Sequence, residues 1–239
     1  MAQKRAKVDN LGRAYAGSQL QIQIYVNRRP EELSERLLEA LPSLAELNPL
    51  IRWVSPLESA GFSEYQDEAF LAAVGCPEAT EPLHAFWPKD GPTWDALAVA
   101  DYGGDTKRTG IVMVEAKSHP PEVYGRGCRG LPSSRARIEK ALLETKRWLG
   151  VREDADWTGT LYSSANRLAH LFFFERILGV RAWLANVYFL SDPHLPTSIE
   201  EWRIALRQVK HELGLTDITI PQISDLFLDA RDRRELVGR

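Results

Sequence analysis

The chain has 239 residues, 44% hydrophobic and 26% charged, with a formal net charge of −3. This is the composition of an ordinary globular protein, enough for one large domain or one domain with elaborations. It excludes binding to polyanions through bulk charge, so any nucleic-acid contact needs a local basic face. The charge is uneven: residues 1–30 carry +5, residues 31–101 carry −11 and residues 102–239 carry +3. No apolar run approaches the length of a membrane span. The basic start MAQKRAKVDN lacks the apolar stretch of a secretory signal. Cys76 and Cys128 form no metal-ligand pattern. A reduced, cytoplasmic setting is expected.

Residues 1–20 are polar and are expected to be poorly ordered. QLQIQIYV (19–26) alternates polar and apolar residues, the pattern of a half-buried strand. Pro30 followed by EELSERLLEAL predicts a helix with proline near its start and acids in its first turn. IRWVSPL (51–57) reads as a short extended segment. Ser63 and Gln66 have capping-box spacing and open a predicted helix, EYQDEAFLAAVG, ending near Gly75. LHAFWP (83–88) is a strand candidate. Ala96–Ala100 and Ile111–Val114 are apolar runs of buried-strand type. A Pro/Gly-rich loop follows, then helices over 134–150 and 163–177, a buried strand over 181–190 and a helix over 197–213. DARDRRELVGR reads as a solvated tail. Trp53, Trp87, Trp94 and Trp183 are assigned to the core.

The two apolar runs flank the loop DYGGDTKRTG, whose midpoint is Asp105. In a hairpin about that midpoint, opposed residues have numbers summing to 210. Every resulting pair from Ala100/Gly110 to Ala96/Val114 is then apolar or small. One further step sets Asp95 opposite Glu115. Directly opposed residues share a face, with Cβ atoms about 4.5–5.5 Å apart. Two carboxylates so placed repel, and a divalent cation between them reverses that sign. Lys117 lies on the same face, roughly 7 Å along the strand. A one-residue slip would move Asp95 to the opposite face.

Two acids holding a hard cation beside an ammonium suit phosphodiester hydrolysis. Mg²⁺ prefers oxygen ligands, polarises phosphate and lowers the pKa of bound water. The lysine has three available roles: orienting water, stabilising charge in the phosphorane, or acting as base if its pKa is depressed.

Asp95 followed by Glu115-Ala116-Lys117 at the end of an apolar strand resembles the PD-(D/E)xK nuclease superfamily, the restriction-endonuclease-like fold. The resemblance spans about half the chain, and the family's Pro-Asp pair is here Pro92-Thr-Trp-Asp95. It implies an α/β fold with a mixed central sheet flanked by helices. The nuclease-like core would occupy residues 61–190. Residues 1–60 would be an N-terminal elaboration, and 191–239 a C-terminal helix and tail packed on the same domain. It further implies that Asp95, Glu115 and the Ala116 carbonyl bind Mg²⁺, with Mn²⁺ as an alternative, and that Lys117 is the catalytic lysine. An acid from the first core helix, Glu64 in preference to Asp67, would complete the set.

Arg126, Arg129, Arg135 and Arg137 cluster after the site, where arginines would position a nucleic-acid backbone, with a solvated helix face as the ordinary alternative. His119 shares the face of Glu115 and Lys117. Asn166 and Arg167 lie on an apolar helix, and the sequence does not say whether they reach the site. The expected function is a metal-dependent nuclease, with DNA the expected partner and a homodimer neither required nor excluded. Two rivals stand beside it: an inert nuclease-fold module used for nucleic-acid binding or assembly, and a glycosidase using Asp95 and Glu115 as its carboxylate pair.

Overall fold

The two apolar runs around residue 105 form the middle of a five-stranded sheet in a computed structural model that describes residues 8–106 and 108–238. The chain begins with helices α1 (Gly17–Arg28), α2 (Pro30–Ala40) and α3 (Pro42–Ala45). Strand β1 (Leu50–Ser55) is followed by helices α4 (Asp67–Ala73) and α5 (Thr80–Phe86). The hairpin β2 (Ala96–Tyr102) and β3 (Arg108–Lys117) leads to helices α6 (Pro132–Leu149) and α7 (Tyr162–Phe172). The last helix continues as a π-helical turn, Phe173–Leu178. Strand β4 (Ala182–Leu190), helix α8 (Ile199–Leu213), strand β5 (Ile223–Asp229) and helix α9 (Arg234–Val237) complete the chain.

The sheet order is β1-β2-β3-β4-β5. Strands β1, β2 and β3 form an antiparallel meander; β4 runs parallel to β3, and β5 parallel to β4. The fold is therefore α/β, with a mixed sheet covered by helices on both faces. Each pair in the β2–β3 ladder sums to 210, from Ala96↔Val114 to Tyr102↔Arg108. One face, carrying Ala98, Val112, Val114, Ala185 and Val187, packs on Ile22, Tyr25, Leu33 and Leu37 of α1 and α2. The other, carrying Leu97, Met113, Leu184 and Tyr188, packs on α4 to α8. The sheet thus draws strands from residues 1–60, 61–190 and 191–239 alike. Trp53, Trp87, Trp94 and Trp183 are all buried.

Four expectations are corrected. Residues 19–26 lie in helix α1, not a strand. Their alternation is real, but Gln21 and Gln23 are buried rather than solvated. Gln23 accepts from the Ala14 amide and donates to the Gly12 carbonyl; Gln21 exchanges two bonds with the Arg231 backbone. Paired polar groups enter a core at little cost, so period two did not mark a wet face here.

Residues 83–88 lie mostly in helix α5 rather than in a strand. The helix predicted over EYQDEAFLAAVG starts only at Asp67, with Gln66 at its cap position and no side-chain cap bond. The Ser63 hydroxyl instead donates to the Ala60 carbonyl, so no capping box forms. The C-terminal segment is no solvated tail: β5 ends at Asp229, α9 follows, and Leu236 is buried. The ordering expected to be poor over 1–20 falls partly on residues 1–7, outside the described residues. Beyond them, Val8 bridges Ala14, and Ala14 is fully buried.

Candidate active site

Strand β3 supplies Glu115, Ala116 and Lys117 at its C-terminal end, where the β2–β3 ladder runs out. Asp95 sits one residue before β2. Its Oδ2 accepts the Ala116 amide at 2.7 Å, which joins the two segments one step past the last ladder pair. The register that ends at Ala96↔Val114, continued by one residue, sets Asp95 beside Glu115, whose charge acts on it. Lys117 Nζ donates to Glu115 Oε1 and, at 3.2 Å, to the Ala116 carbonyl; it lies 3.9 Å from Asp95 Oδ2.

Glu64 precedes helix α4 rather than belonging to it. Tyr65 forms an isolated antiparallel bridge with Trp94, and continuing that register by one residue sets Glu64 beside Asp95. Glu64 also accepts from Gln19 of α1 at 3.1 Å. Asp67, the other candidate acid, has a different task. Its carboxylate accepts the amides of Asp90 and Gly91 at 2.9 and 3.0 Å, folding the loop that leads into Asp95.

Arg167 of α7 completes the cluster. Its Nη2 lies 2.5 Å from Glu115 Oε2 and donates to the Thr93 carbonyl at 3.1 Å, while the guanidinium rests over the Trp94 ring at 5.5 Å. One side chain thus ties β3 to the segment carrying Asp95. The sequence left Arg167 unassigned, since nothing in an apolar helix tells which residue its polar face meets.

The charges set each group's state. Burial, then repulsion from Glu115, raises Asp95 to about 7, so it holds a proton across mildly acidic pH. Burial would also raise Glu115, but Arg167 and Lys117 overcome it and hold that carboxyl below its ordinary value. Lys117 stays above its ordinary value despite burial, because Glu115 and Asp95 face it. An ammonium so held donates hydrogen bonds and does not act as a base. Of the three roles open to the lysine, only the first two suit this arrangement.

Among the described residues no three His, Cys, Asp or Glu side chains group closely enough to enclose a metal ion. Mg²⁺, however, is commonly held by one or two carboxylates, with water and phosphate oxygens completing its shell. Asp95, Glu115 and the Ala116 carbonyl are hard oxygen donors of that kind, so this donor set fits.

The four arginines expected beside the site are spread around it. Arg135 pairs with Glu139 at 2.8 Å, and Arg137 donates to the His84 carbonyl at 2.7 Å. Arg126 and Arg129 are exposed on the loop before α6. None lines the cavity that opens beside Glu115 and Lys117. His119 faces Glu122 at 3.9 Å.

That cavity has a volume of about 330 Å³ and lies between β4, β5, α7 and α8. Its polar lining includes Asn186 and Asp225, which follow Glu115 in register across three parallel strands. Sequence reading missed both, because β5 was not recognised and parallel register leaves no local signal. Tyr188 is the one aromatic residue in the lining, which is otherwise aliphatic or polar.

Comparison with known protein families, curated proteins and solved structures finds no match to this chain. Beyond the α/β architecture, function therefore rests on the geometry of these residues.

Proposed function

We propose that the chain is a metal-dependent phosphodiesterase acting on nucleic acid, with DNA the expected substrate and a restriction-endonuclease-like core. The observation that carries this reading is the hairpin register, which brings Asp95, Glu115 and Lys117 together at one strand end. Asp95, Glu115 and the Ala116 carbonyl would hold Mg²⁺ or Mn²⁺. A bound divalent cation supplies Lewis acidity at a phosphate oxygen and lowers the pKa of water. Lys117, held as an ammonium, orients the attacking water and stabilises negative charge on the phosphorane. Arg167 fixes the rotamer of Glu115 and joins it to the Thr93 segment, a positioning role. Glu64 adds negative charge next to Asp95.

A second reading draws on one observation. Both oxygens of Glu115 are taken up by Lys117 and Arg167, as suits an inert module of the same fold that binds without cutting.

The deciding experiment is a cleavage assay with supercoiled plasmid, linear duplex, single-stranded DNA and RNA, in Mg²⁺, Mn²⁺ or EDTA. Metal-dependent cleavage is expected, reduced by about 10²–10⁴-fold in Lys117→Ala and abolished in Asp95→Ala. Activity surviving in both folded variants overturns the reading. Binding in EDTA without cleavage in metal supports the inert module.

A further inference from the structure

We infer that the cavity beside Glu115 and Lys117 receives one unpaired nucleobase of the substrate strand, an inference that rests on the nuclease reading and deepens it. Three observations meet there. First, the cavity is continuous with the candidate site, since Glu115, Lys117 and Arg167 line one end of it. Second, its walls are aliphatic, with Leu184 from β4 and Leu206 and Val209 from α8 among them, while its sheet side carries a polar row.

That row is Glu115, Asn186 and Asp225, aligned by strand register. Asn186 Nδ2 donates to Asp225 Oδ1 at 3.1 Å, and Lys210 Nζ holds the other Asp225 oxygen at 2.8 Å. The carboxamide of Asn186 gives Asp225 one of its two amino hydrogens and keeps its carbonyl oxygen as an acceptor. Third, Tyr188 lines the cavity, is only 7% exposed, and among the described residues has no hydrogen bond to its hydroxyl. That hydroxyl opens to the same space as the row, where it is available to a ligand.

A nucleobase matches this arrangement. Its faces are flat and apolar, and its edge carries amino and ring nitrogens that pair with an amide oxygen and a hydroxyl. Glu115 and Asp225 are two strand spacings apart, about 10 Å, the span of one nucleotide from phosphate to the far edge of its base. The cavity is walled by β4, β5, α7 and α8, so a base enters it only when it has left the duplex stack and its pairing partner. The substrate nucleotide beside the cleaved bond must therefore be unpaired, as in a single strand, a flap or an extruded base. A free nucleotide offers the same chemistry, so the test separates the two sources.

The test titrates the full chain in EDTA with dAMP, dCMP and 2-deoxyribose 5-phosphate, and with a single-stranded decamer with and without one abasic position. The mononucleotides are expected to bind at least tenfold more tightly than the sugar phosphate. Asn186→Ala and Leu206→Trp are expected to weaken them at least fivefold while keeping a cooperative melt. Should both variants misfold, methyl resonances of Leu206 and Val209 in the wild type must shift on adding dAMP. Equal binding of the sugar phosphate, unchanged variants or unshifted methyls overturn the inference. In metal, cleavage of the decamer should fall at least tenfold when the abasic position adjoins the cleaved bond, and duplex should be cut at least tenfold more slowly than single strand. Cleavage indifferent to the abasic position overturns the inference for a strand. Nucleotide binding with no cleavage in metal overturns the nuclease reading instead, and leaves a nucleotide cavity.

Discussion

Glu115 and Arg167 meet 2.5 Å apart, each side chain only 12% exposed, and Lys117 closes on the same carboxylate from the other side. Of the two cations Arg167 does more than Lys117 to hold the buried Glu115 carboxylate ionised, so removing it leaves that charge poorly compensated. Arg167→Ala should cost about 3–5 kcal/mol, read by urea denaturation at neutral pH. Arg167→Lys should recover part of that loss, because it restores the charge but not the contacts to Thr93 and Trp94. A loss below 1 kcal/mol in Arg167→Ala would show that Lys117 alone balances Glu115.

The raised pKa of Asp95 makes stability depend on pH. Its carboxyl is displaced from 3.8 to about 7. Between those values the folded protein binds a proton that the unfolded chain does not. Stability from this group is therefore full below about 4 and is lost as pH rises to about 7. In EDTA, wild type should lose stability between pH 5 and 8 relative to Asp95→Asn, by on the order of 2 kcal/mol once the 22% side-chain exposure is allowed for. The asparagine keeps an acceptor for the Ala116 amide. Parallel pH profiles for the two proteins would place the proton elsewhere.

Asp67 holds the loop that precedes Asp95, not the reacting groups. It sits at φ 47, a left-handed conformation that aspartate tolerates and alanine does not. Asp67→Ala should cost about 1–3 kcal/mol and speed hydrogen exchange at the Asp90 and Gly91 amides. Cleavage by the folded variant should fall far less than in Asp95→Ala. Gly91→Ala should mimic it, since a Cβ there would lie 2.8 Å from Asp67 Oδ1.

Two serines with the same sequence signature should behave differently. Ser198 forms a complete capping box with Glu201 at the start of α8, which walls the cavity. Ser198→Ala should lower stability by about 1 kcal/mol. Ser63 has the same spacing to Gln66 but caps nothing. Ser63→Ala should change the thermal midpoint by less than half as much, in melts run side by side.

The hairpin that builds the candidate site was legible because its evidence is local. Ten small or apolar residues around one loop leave a single register that buries all of them, and Asp95, Glu115 and Lys117 follow from it. Helix α2 was equally plain, with Pro30 at its start and acids in its first turn, as was α6, with Gly150 at φ 71 just past its end. What the sequence withheld depends on partners distant along the chain. Gln21 and Gln23 look solvated until Arg231 and the 12–14 segment arrive to pair them. Strand β5 exists because β4 offers it a parallel edge, and short parallel pairing carries no turn or alternation of its own. Arg167 meets Glu115 only once α7 docks, and Asn186 and Asp225 fall into line with it only through the parallel pairing of β3, β4 and β5. The sequence by itself determined the acids and the lysine, through side-chain alternation along two adjacent strands. Only the tertiary structure decided what surrounds them, because those neighbours are fixed by packing across the sheet and not by spacing along the chain.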